Sequence, residues 1–271
     1  MIGKPNSFEK RLAKDACRIA MEGGSLLKKF HESRSRTRFC ITSKMSSIDL
    51  VTDVDRKAEK AIKELIEAAH PDHGIISEEG SSKKSACGYV WYVDPLDGTT
   101  NFIHGYPHFS VSIAVEYEGE VTIGCVYDPL RDELFFAQKG MGARLNGRRI
   151  QVSRSTVLDE SLLVTGFPYD VRSAPENNVT HWNNFLMKAR AVRRDGSAAL
   201  DLCYVAAGRL DGFWEIKLKP WDIAAGLLMV SEAGGKTGDF HGNRIGIFAG
   251  EVLADNGHIH KEMIDVLKKG S

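Results

Sequence analysis

What this chain lacks narrows it first. Its five cysteines, Cys17, Cys40, Cys87, Cys125 and Cys203, are odd in number, widely spaced and without a C-x-x-C pair. That argues for free thiols and against a disulfide framework or a zinc site. No apolar run approaches the roughly 18 residues of a membrane span, and Met1–Ser7 leads into a charged helical pattern instead of an apolar signal core. The expectation is a soluble, cytoplasmic protein with no membrane partner. Net charge is also missing: 36 Lys plus Arg balance 36 Asp plus Glu, so no bulk electrostatic footprint invites nucleic acid, and none is expected as a direct partner. There is no internal repeat and no low-complexity tract. What remains is a composition close to the globular average, 42% hydrophobic and 27% charged over 271 residues, able to bury a core without staples. That length fits one large domain or two fused lobes.

Hydrophobic periodicity sketches the elements. Phe8, Leu12, Ala16, Ile19, Gly23, Leu27 and Phe30 recur at three- and four-residue steps, predicting an amphipathic first helix capped by Ser7. The basic stretch Ser33–Arg38 reads as a solvated loop, with a flap near an anion as the alternative. A second helix is expected from about Val54 to Ala69. Strand-like runs then crowd together at 74–77, 89–93, 109–117, 121–127 and 133–138, and Asn146-Gly147 marks a hairpin turn. The second half alternates: strand 162–167, helices 175–189 and 197–207, strand 210–215, helix 221–233, strand 246–254 and helix 257–268. This pattern predicts a layered α/β protein in two lobes. Residues 1–152 would form a helix pair on a largely antiparallel sheet, and 153–271 an α/β lobe.

The densest chemistry lies in Trp91-Tyr92-Val93-Asp94-Pro95-Leu96-Asp97-Gly98-Thr99-Thr100-Asn101, where an apolar strand ends in two carboxylates three residues apart. Pro95 pushes Asp94 toward extended geometry, and Gly98 permits a sharp bend. In such a bend Asp94, Asp97 and the Leu96 carbonyl can converge, and Gly98, Thr99 and Thr100 offer amides at a helix start, where phosphate binds readily. An ordinary surface turn with Asp94 as a cap is the competing reading. Glu78-Glu79 follows a buried-looking strand, and Asp222 sits beside Pro220 where a helix cap would also stand. If these carboxylates converge, each like-charged pair about 4 Å apart costs on the order of 4 kcal/mol at an effective dielectric near 20, so a cluster needs cations. An oxygen-only shell selects hard ions such as Mg²⁺ or Mn²⁺, and beside a phosphate cradle that is the recipe for metal-assisted phosphoryl hydrolysis. Upstream, Thr52-x-x-Asp55 fits a capping box. Alternatively, Asp55 pairs with Thr99 to orient a water.

Asp94-Pro95-Leu96-Asp97-Gly98-Thr99-Thr100-Asn101-Phe102, Glu78-Glu79, and Trp221-Asp222-Ile223-Ala224-Ala225-Gly226 followed by Glu232-Ala233-Gly234-Gly235 together resemble the signatures of the inositol monophosphatase family. The likeness spans roughly Lys44 to Asp255. The stretch from Gly196-Ser197-Ala198 to Gly212-Phe213-Trp214-Glu215 is most similar to the bacterial-type members. The resemblance implies an αβαβα sandwich of the inositol monophosphatase and fructose bisphosphatase type, usually a homodimer. It implies Mg²⁺-dependent, lithium-inhibited hydrolysis of a sugar or polyol phosphate, myo-inositol 1-phosphate first, by direct attack of water. By motif position, Glu78, Asp94 and the Leu96 carbonyl would hold a first metal, and Asp94, Asp97 and Asp222 a second, with a weaker third near Glu78. Catalytic roles would fall to Thr99, Asp55 and Glu78. Phosphate would lie on Gly98, Thr99 and Asp97, and Gly196, Ser197, Ala198 and Glu215 would meet the polyol, with Lys44 on a loop at the mouth.

Departures from the family pattern bear on the substrate. Asp195 stands where relatives carry a neutral residue, and Arg193 and Arg194 could serve a second phosphate. Fructose-1,6-bisphosphate, 3′-phosphoadenosine 5′-phosphate and histidinol phosphate are therefore alternative substrates. His104 and His108 are expected to be structural or surface residues. A binding role toward the transcription machinery, known for some bacterial members, is the alternative outside catalysis.

Overall fold

The computed structural model describes residues 6–33, 41–43, 50–80 and 82–269. Lys44 and the basic residues Arg34, Arg36 and Arg38 lie outside them. In chain order the elements are α1 (Ser7–Ser33), β1 (Ile41–Ser43), β2 (Leu50–Thr52), α2 (Asp53–Ala69), β3 (Gly74–Ser77), β4 (Ser82–Lys83), β5 (Tyr89–Asp97), α3 (Thr99–His104), β6 (Ser110–Tyr117), β7 (Glu120–Asp128), β8 (Glu133–Gln138), β9 (Ala143–Leu145) and β10 (Arg148–Arg149). A short 3₁₀ turn, Leu158–Glu160, precedes β11 (Leu162–Thr165), α4 (Val179–Leu186), β12 (Ala191–Arg193), α5 (Ala198–Ala206), β13 (Gly212–Ile216), α6 (Pro220–Glu232), β14 (Lys236–Gly238), β15 (Glu251–Asp255) and α7 (His260–Leu267).

Strand alternation converts these elements into five layers. The larger sheet runs β10-β9-β8-β7-β6-β5-β3-β4 and is antiparallel except where β3 lies parallel to β5. One of its faces, bearing Trp91, Val93, Val111, Ile113 and Cys125, packs on Leu12, Ala16 and Ile19 of α1 and on Ala58, Ile62 and Ile66 of α2. The other face, bearing Tyr92, Ala114, Val126 and Phe135, packs on Leu200, Cys203, Ile223 and Val230 of α5 and α6. Those same helices cover Val164, Phe213, Val252 and Ala254 of the smaller sheet, ordered β12-β11-β13-β15-β14. Its far face, with Leu163, Trp214 and Leu253, meets Phe185 of α4 and Met263, Val266 and Leu267 of α7. The result is an αβαβα sandwich. Because α5 and α6 are covered on both sides, they are apolar nearly all round, as a central helix layer must be.

Several element ends differ from the sequence reading. The cap of α1 is Asn6, not Ser7: the Asn6 amide donates to Glu9 Oε2 at 2.8 Å and the Glu9 amide to Asn6 Oδ1 at 2.9 Å, a reciprocal pair one residue upstream. The helix expected over 175–189 is confined to Val179–Leu186, and the strand expected over 246–254 to Glu251–Asp255. The Asn146-Gly147 turn pairs Leu145 with Arg148, both turn residues at positive φ (48° and 79°), as a tight two-residue hairpin requires. Cys17, Cys87, Cys125 and Cys203 are free thiols, and among the described residues no helix is long and apolar enough to cross a membrane.

Candidate active site

Strand β5 delivers the first carboxylates. It pairs with β6 through Asp94↔Ser112 and again at Asp97↔Ser110, with a register break between. That irregularity lets Asp94, Leu96 and Asp97 leave the strict up-down alternation at the strand end. Asp94 Oδ1 accepts the Leu96 amide at 2.9 Å, so the Pro95 turn is closed on the carboxylate itself. Gly98 follows at φ 96°. A Cβ there would stand 3.0 Å from the His108 carbonyl oxygen and 3.3 Å from that of Gly196, so both the dihedral and the close approach of two other segments require glycine. Helix α3 then begins with Thr99, whose hydroxyl lies 3.0 Å from Asp55 Oδ1 and 3.1 Å from the Leu96 carbonyl.

Asp55 does two things at once. Thr52 caps α2, its Oγ1 accepting the Val54 and Asp55 amides, while Asp55 Oδ2 accepts the Thr52 amide at 2.8 Å and the Thr52 hydroxyl at 2.5 Å. The other oxygen faces Thr99. The capping box and the Thr99 pair are therefore the same carboxylate, and both readings of Asp55 describe it geometrically. Burial pushes its pKa up despite these donors.

Two further carboxylates arrive from a distance. Burial and then Glu78, Asp97 and Asp222, in that order, push Asp94 well above the ordinary range, and Asp94 shares a hydrogen bond with Glu78. Asp222 is raised by burial and by Glu78, Asp97 and Glu215, against the Lys219 amide that donates to it at 2.7 Å. Asp222 is thus the N3 cap of α6 and a member of the cluster. Asp97 is pushed up to about 6 by burial, partly offset by Ser197 Oγ at 2.5 Å and the Ala199 amide at 2.9 Å, both donating to Oδ2. Sequence positions 78, 94, 97 and 222 therefore lie within electrostatic reach of one another, Asp94 and Asp97 buried and Glu78 and Asp222 half-buried.

The opposite wall comes from the C-terminal half. Glu215, inside β13, is pushed up to about 8 by burial, then by Asp201 and Asp97 against Arg194. Ser197 stands at the N-cap position of α5 with its hydroxyl turned to Asp97 and not to the helix amides, and Asn101 Nδ2 ties the two halves by reaching the carbonyl oxygens of His108 (2.7 Å), Asp195 (2.8 Å) and Gly196 (3.4 Å). Ala198 opens α5 one residue later. Arg193 and Arg194 are exposed and His104 is exposed on α3, whereas His108 is buried.

Two participants escaped sequence reasoning, and a third, His108, reads from it as structural or at the surface. Gly166, just past β11, leaves the space that Glu215 fills: a Cβ there would fall 2.2 Å from Glu215 Oε1. A glycine at a strand end was the available signal. Asp201 looks like one more polar position of a helix, and His108 like a loop residue. Both are buried beside Asp97, which only the tertiary packing reveals.

The donor set fits a hard divalent cation. It is oxygen-only, and Asp94, Asp97 and Asp222 each have an oxygen held by an amide or hydroxyl, which orients the carboxylates before any ligand arrives. Their mutual elevation of pKa is the signature of carboxylates gathered without their counter-charge.

A five-layer sandwich enclosing such an acidic pocket defines a class, and comparison with known proteins identifies it. The family model described as "Inositol monophosphatase family" matches residues 7–270. The chain is 44% identical to the Nus factor SuhB of Escherichia coli strain K12 over 250 residues, covering 92% of each. Its structure superposes on the extragenic suppressor protein suhB of Bartonella henselae with a TM-score of 0.90 at 40% identity, over 96% of this chain and 100% of the other. It superposes on the inositol monophosphatase of Anabaena (TM-score 0.86, 38% identity, 96% of each chain). A more distant likeness is an inositol monophosphate-bound SaIMPase-II (TM-score 0.79, 28% identity, 95% and 94% of the chains). This chain belongs to the inositol monophosphatase family.

Proposed function

We propose that the protein is a Mg²⁺-dependent phosphomonoesterase that releases phosphate from myo-inositol 1-phosphate and related polyol or sugar phosphates, with Glu78, Asp94, the Leu96 carbonyl, Asp97 and Asp222 as the metal ligands. The observation that carries this reading is the coupling of Asp94 to Glu78, Asp97 and Asp222. Bound Mg²⁺, two or three ions with Mn²⁺ as a substitute, would offset that repulsion and supply Lewis-acid stabilisation of the phosphoryl oxygens and a more acidic water.

The chain's own residues do the rest. The Thr99 hydroxyl directs its proton toward Asp55 and Leu96, so its lone pair is turned to an incoming water, whose hydrogen it accepts and orients. Thr52 immobilises Asp55 from the far side, which keeps the dyad from rotating away. The Gly98 and Thr99 amides open α3 beside Asp97 and are suited to phosphate oxygens. Glu215, Ser197, Gly196 and Ala198 form the wall facing them, suited to polyol hydroxyls. Lithium inhibition and a homodimer follow from the family reading.

The test is phosphate release from inositol 1-phosphate, fructose-1,6-bisphosphate, 3′-phosphoadenosine 5′-phosphate and histidinol phosphate, with and without Mg²⁺. Release that requires Mg²⁺ and is highest in kcat/KM on inositol 1-phosphate is expected. A different preferred substrate would correct the specificity, and no Mg²⁺-dependent release from any of them would end the enzyme reading. The likeness to a Nus factor favours a second reading, a partner role in the transcription machinery. Rescue of a deletion phenotype by Asp97→Asn would support binding over catalysis.

A further inference from the structure

Outside the carboxylate cluster, the structure gathers a second group of chemically different donors. His108, from the loop before β6, Asp195, from the loop before α5, and Asp201, in the first turn of α5, each bring one ligand atom, all within 4.8 Å of one another. His108 and Asp201 are 4% and 1% exposed. His108 Nε2 and Asp201 Oδ1 are buried without a hydrogen-bond partner, an expensive state for either atom. Yet they face each other at 3.7 Å, too far for a hydrogen bond.

That separation suits two ligands of one ion. Donors about 2.1 Å from a tetrahedral centre lie about 3.4 Å apart. We propose that His108 Nε2 and the carboxylates of Asp195 and Asp201 form a separate cation site that takes a borderline divalent ion, Zn²⁺ foremost, in preference to Mg²⁺. One imidazole nitrogen and two carboxylates supply the mixed donor set that Mg²⁺ avoids and Zn²⁺ accepts, and the two negative charges match a divalent ion. The site is prepared. Asn101 holds the backbone carbonyls of both His108 and Asp195, so two of the three ligands are fixed to one amide. The Tyr204 ring stands edge-on to His108 at 5.8 Å and limits its rotation. Burial keeps His108 neutral, the form that ligates, while burial and the charges of Asp195 and Asp97 raise Asp201. Arg194, exposed, acts on Asp201 as a compensating charge without an ion pair to it among the described residues.

Zinc binding to the intact chain tests this directly. Mg²⁺-saturated protein is titrated with Zn²⁺ by calorimetry, and in parallel the ¹⁵N-labelled histidine ring signals are followed by NMR. The expected result is one Zn²⁺ equivalent that Mg²⁺ does not displace, with a shift of one Nε2 signal that is missing in His108→Gln. Affinity should fall at least about 100-fold in His108→Gln and Asp195→Asn, the upper end of what loss of an outer-shell partner costs. The same equivalent should persist in Asp222→Asn, which touches the other cluster. Zn²⁺ that Mg²⁺ fully displaces, or unchanged binding in Asp195→Asn, overturns the proposal. Asp195 is in a loop and only half-buried, so that variant decides the matter even if His108→Gln fails to fold.

Discussion

The two sides of the pocket are built differently. Asp94 and Asp97 stand on β5, and Glu78 follows β3, both held by neighbouring strands of the larger sheet at fixed register. Asp222, Ser197 and Glu215 arrive on α6, α5 and β13. Helices α5 and α6 pack on the larger sheet, and polar cross-connections align the two sides: Ser197 and Ala199 to Asp97, Asn101 to Asp195 and Gly196, and the Ser112 hydroxyl to the Trp221 carbonyl at 3.1 Å. The strand side is positioned by backbone pairing whatever its charge. The helix side is held by apolar packing on the larger sheet and carries Asp222 toward like charge, so its stability is where a cation is expected to tell most.

The largest effects should come from removing a ligand on either side. Asp97→Asn and Asp222→Asn are each expected to lose at least about two orders of magnitude in kcat for phosphate release, since charge stabilisation of several kcal/mol disappears. The comparison sharpens in the Mg²⁺ dependence: Asp222→Asn should need far more Mg²⁺ for half-maximal stability, read by thermal melting. Equal Mg²⁺ profiles for wild type and Asp222→Asn would break the distinction between the two sides.

Next come the two glycines. Gly98→Ala places a side chain at left-handed φ against two carbonyls, for about 1–3 kcal/mol of strain. Gly166→Ala drives Glu215 from its seat, an overpacking cost of about 1–3 kcal/mol. If Glu215 serves substrate, Gly166→Ala should raise KM more than it lowers kcat, while Gly98→Ala should lower both kcat and stability. Denaturant unfolding and steady-state kinetics separate the two outcomes.

A pH effect of intermediate size follows from the raised carboxylates. Asp97 and Glu215 move in the folded chain from 3.8 to about 6 and from 4.5 to about 8, so without cation the fold keeps protons that the unfolded chain has lost. Their contribution to stability is whole below about pH 4 and is lost as pH rises toward about 8. Chelator-treated protein should therefore show a falling Tm between those limits, and Mg²⁺ should flatten the slope. A Tm that climbs with pH across that window in chelator would contradict it. The smallest effect is Thr52→Ala, about 1 kcal/mol from the lost cap, with a further loss of kcat as Asp55 loosens behind Thr99.

What could be read in the sequence divides along the same line as the pocket. Asp94-Pro95-Leu96-Asp97-Gly98 is contiguous, so its apolar strand, its proline and its glycine announce a bend bearing carboxylates before any tertiary contact is known. Asp222 and Glu215 are single letters in apolar elements; Asp222 groups with Asp94 only as an acid at an element end, and only the likeness of a longer motif sets Glu215 beside it. The layered architecture was legible because periodicity switches between 2 and 3.6 along the chain. The irregular 244–250 segment was not, since Ile245, Ile247 and Phe248 imitate a strand while Gly246 and Gly250 interrupt it. The burial of His108 and Asp201 beside Asp97 was invisible for a deeper reason: a buried polar residue is betrayed by what surrounds it, and its surroundings come from three separate segments.

The central claim is that carboxylates from both halves of the chain form one cation-dependent site. Calorimetric titration of Mg²⁺ into chelator-treated wild type, Asp94→Asn and Asp222→Asn tests it most directly, repeated at neutral pH in buffers of different ionisation enthalpy. Mg²⁺ binding with proton release in the wild type, lost in both variants, is the predicted result, because the raised carboxylates must shed protons to bind a metal. Binding of undiminished strength in either variant, or binding with no proton release, would contradict it.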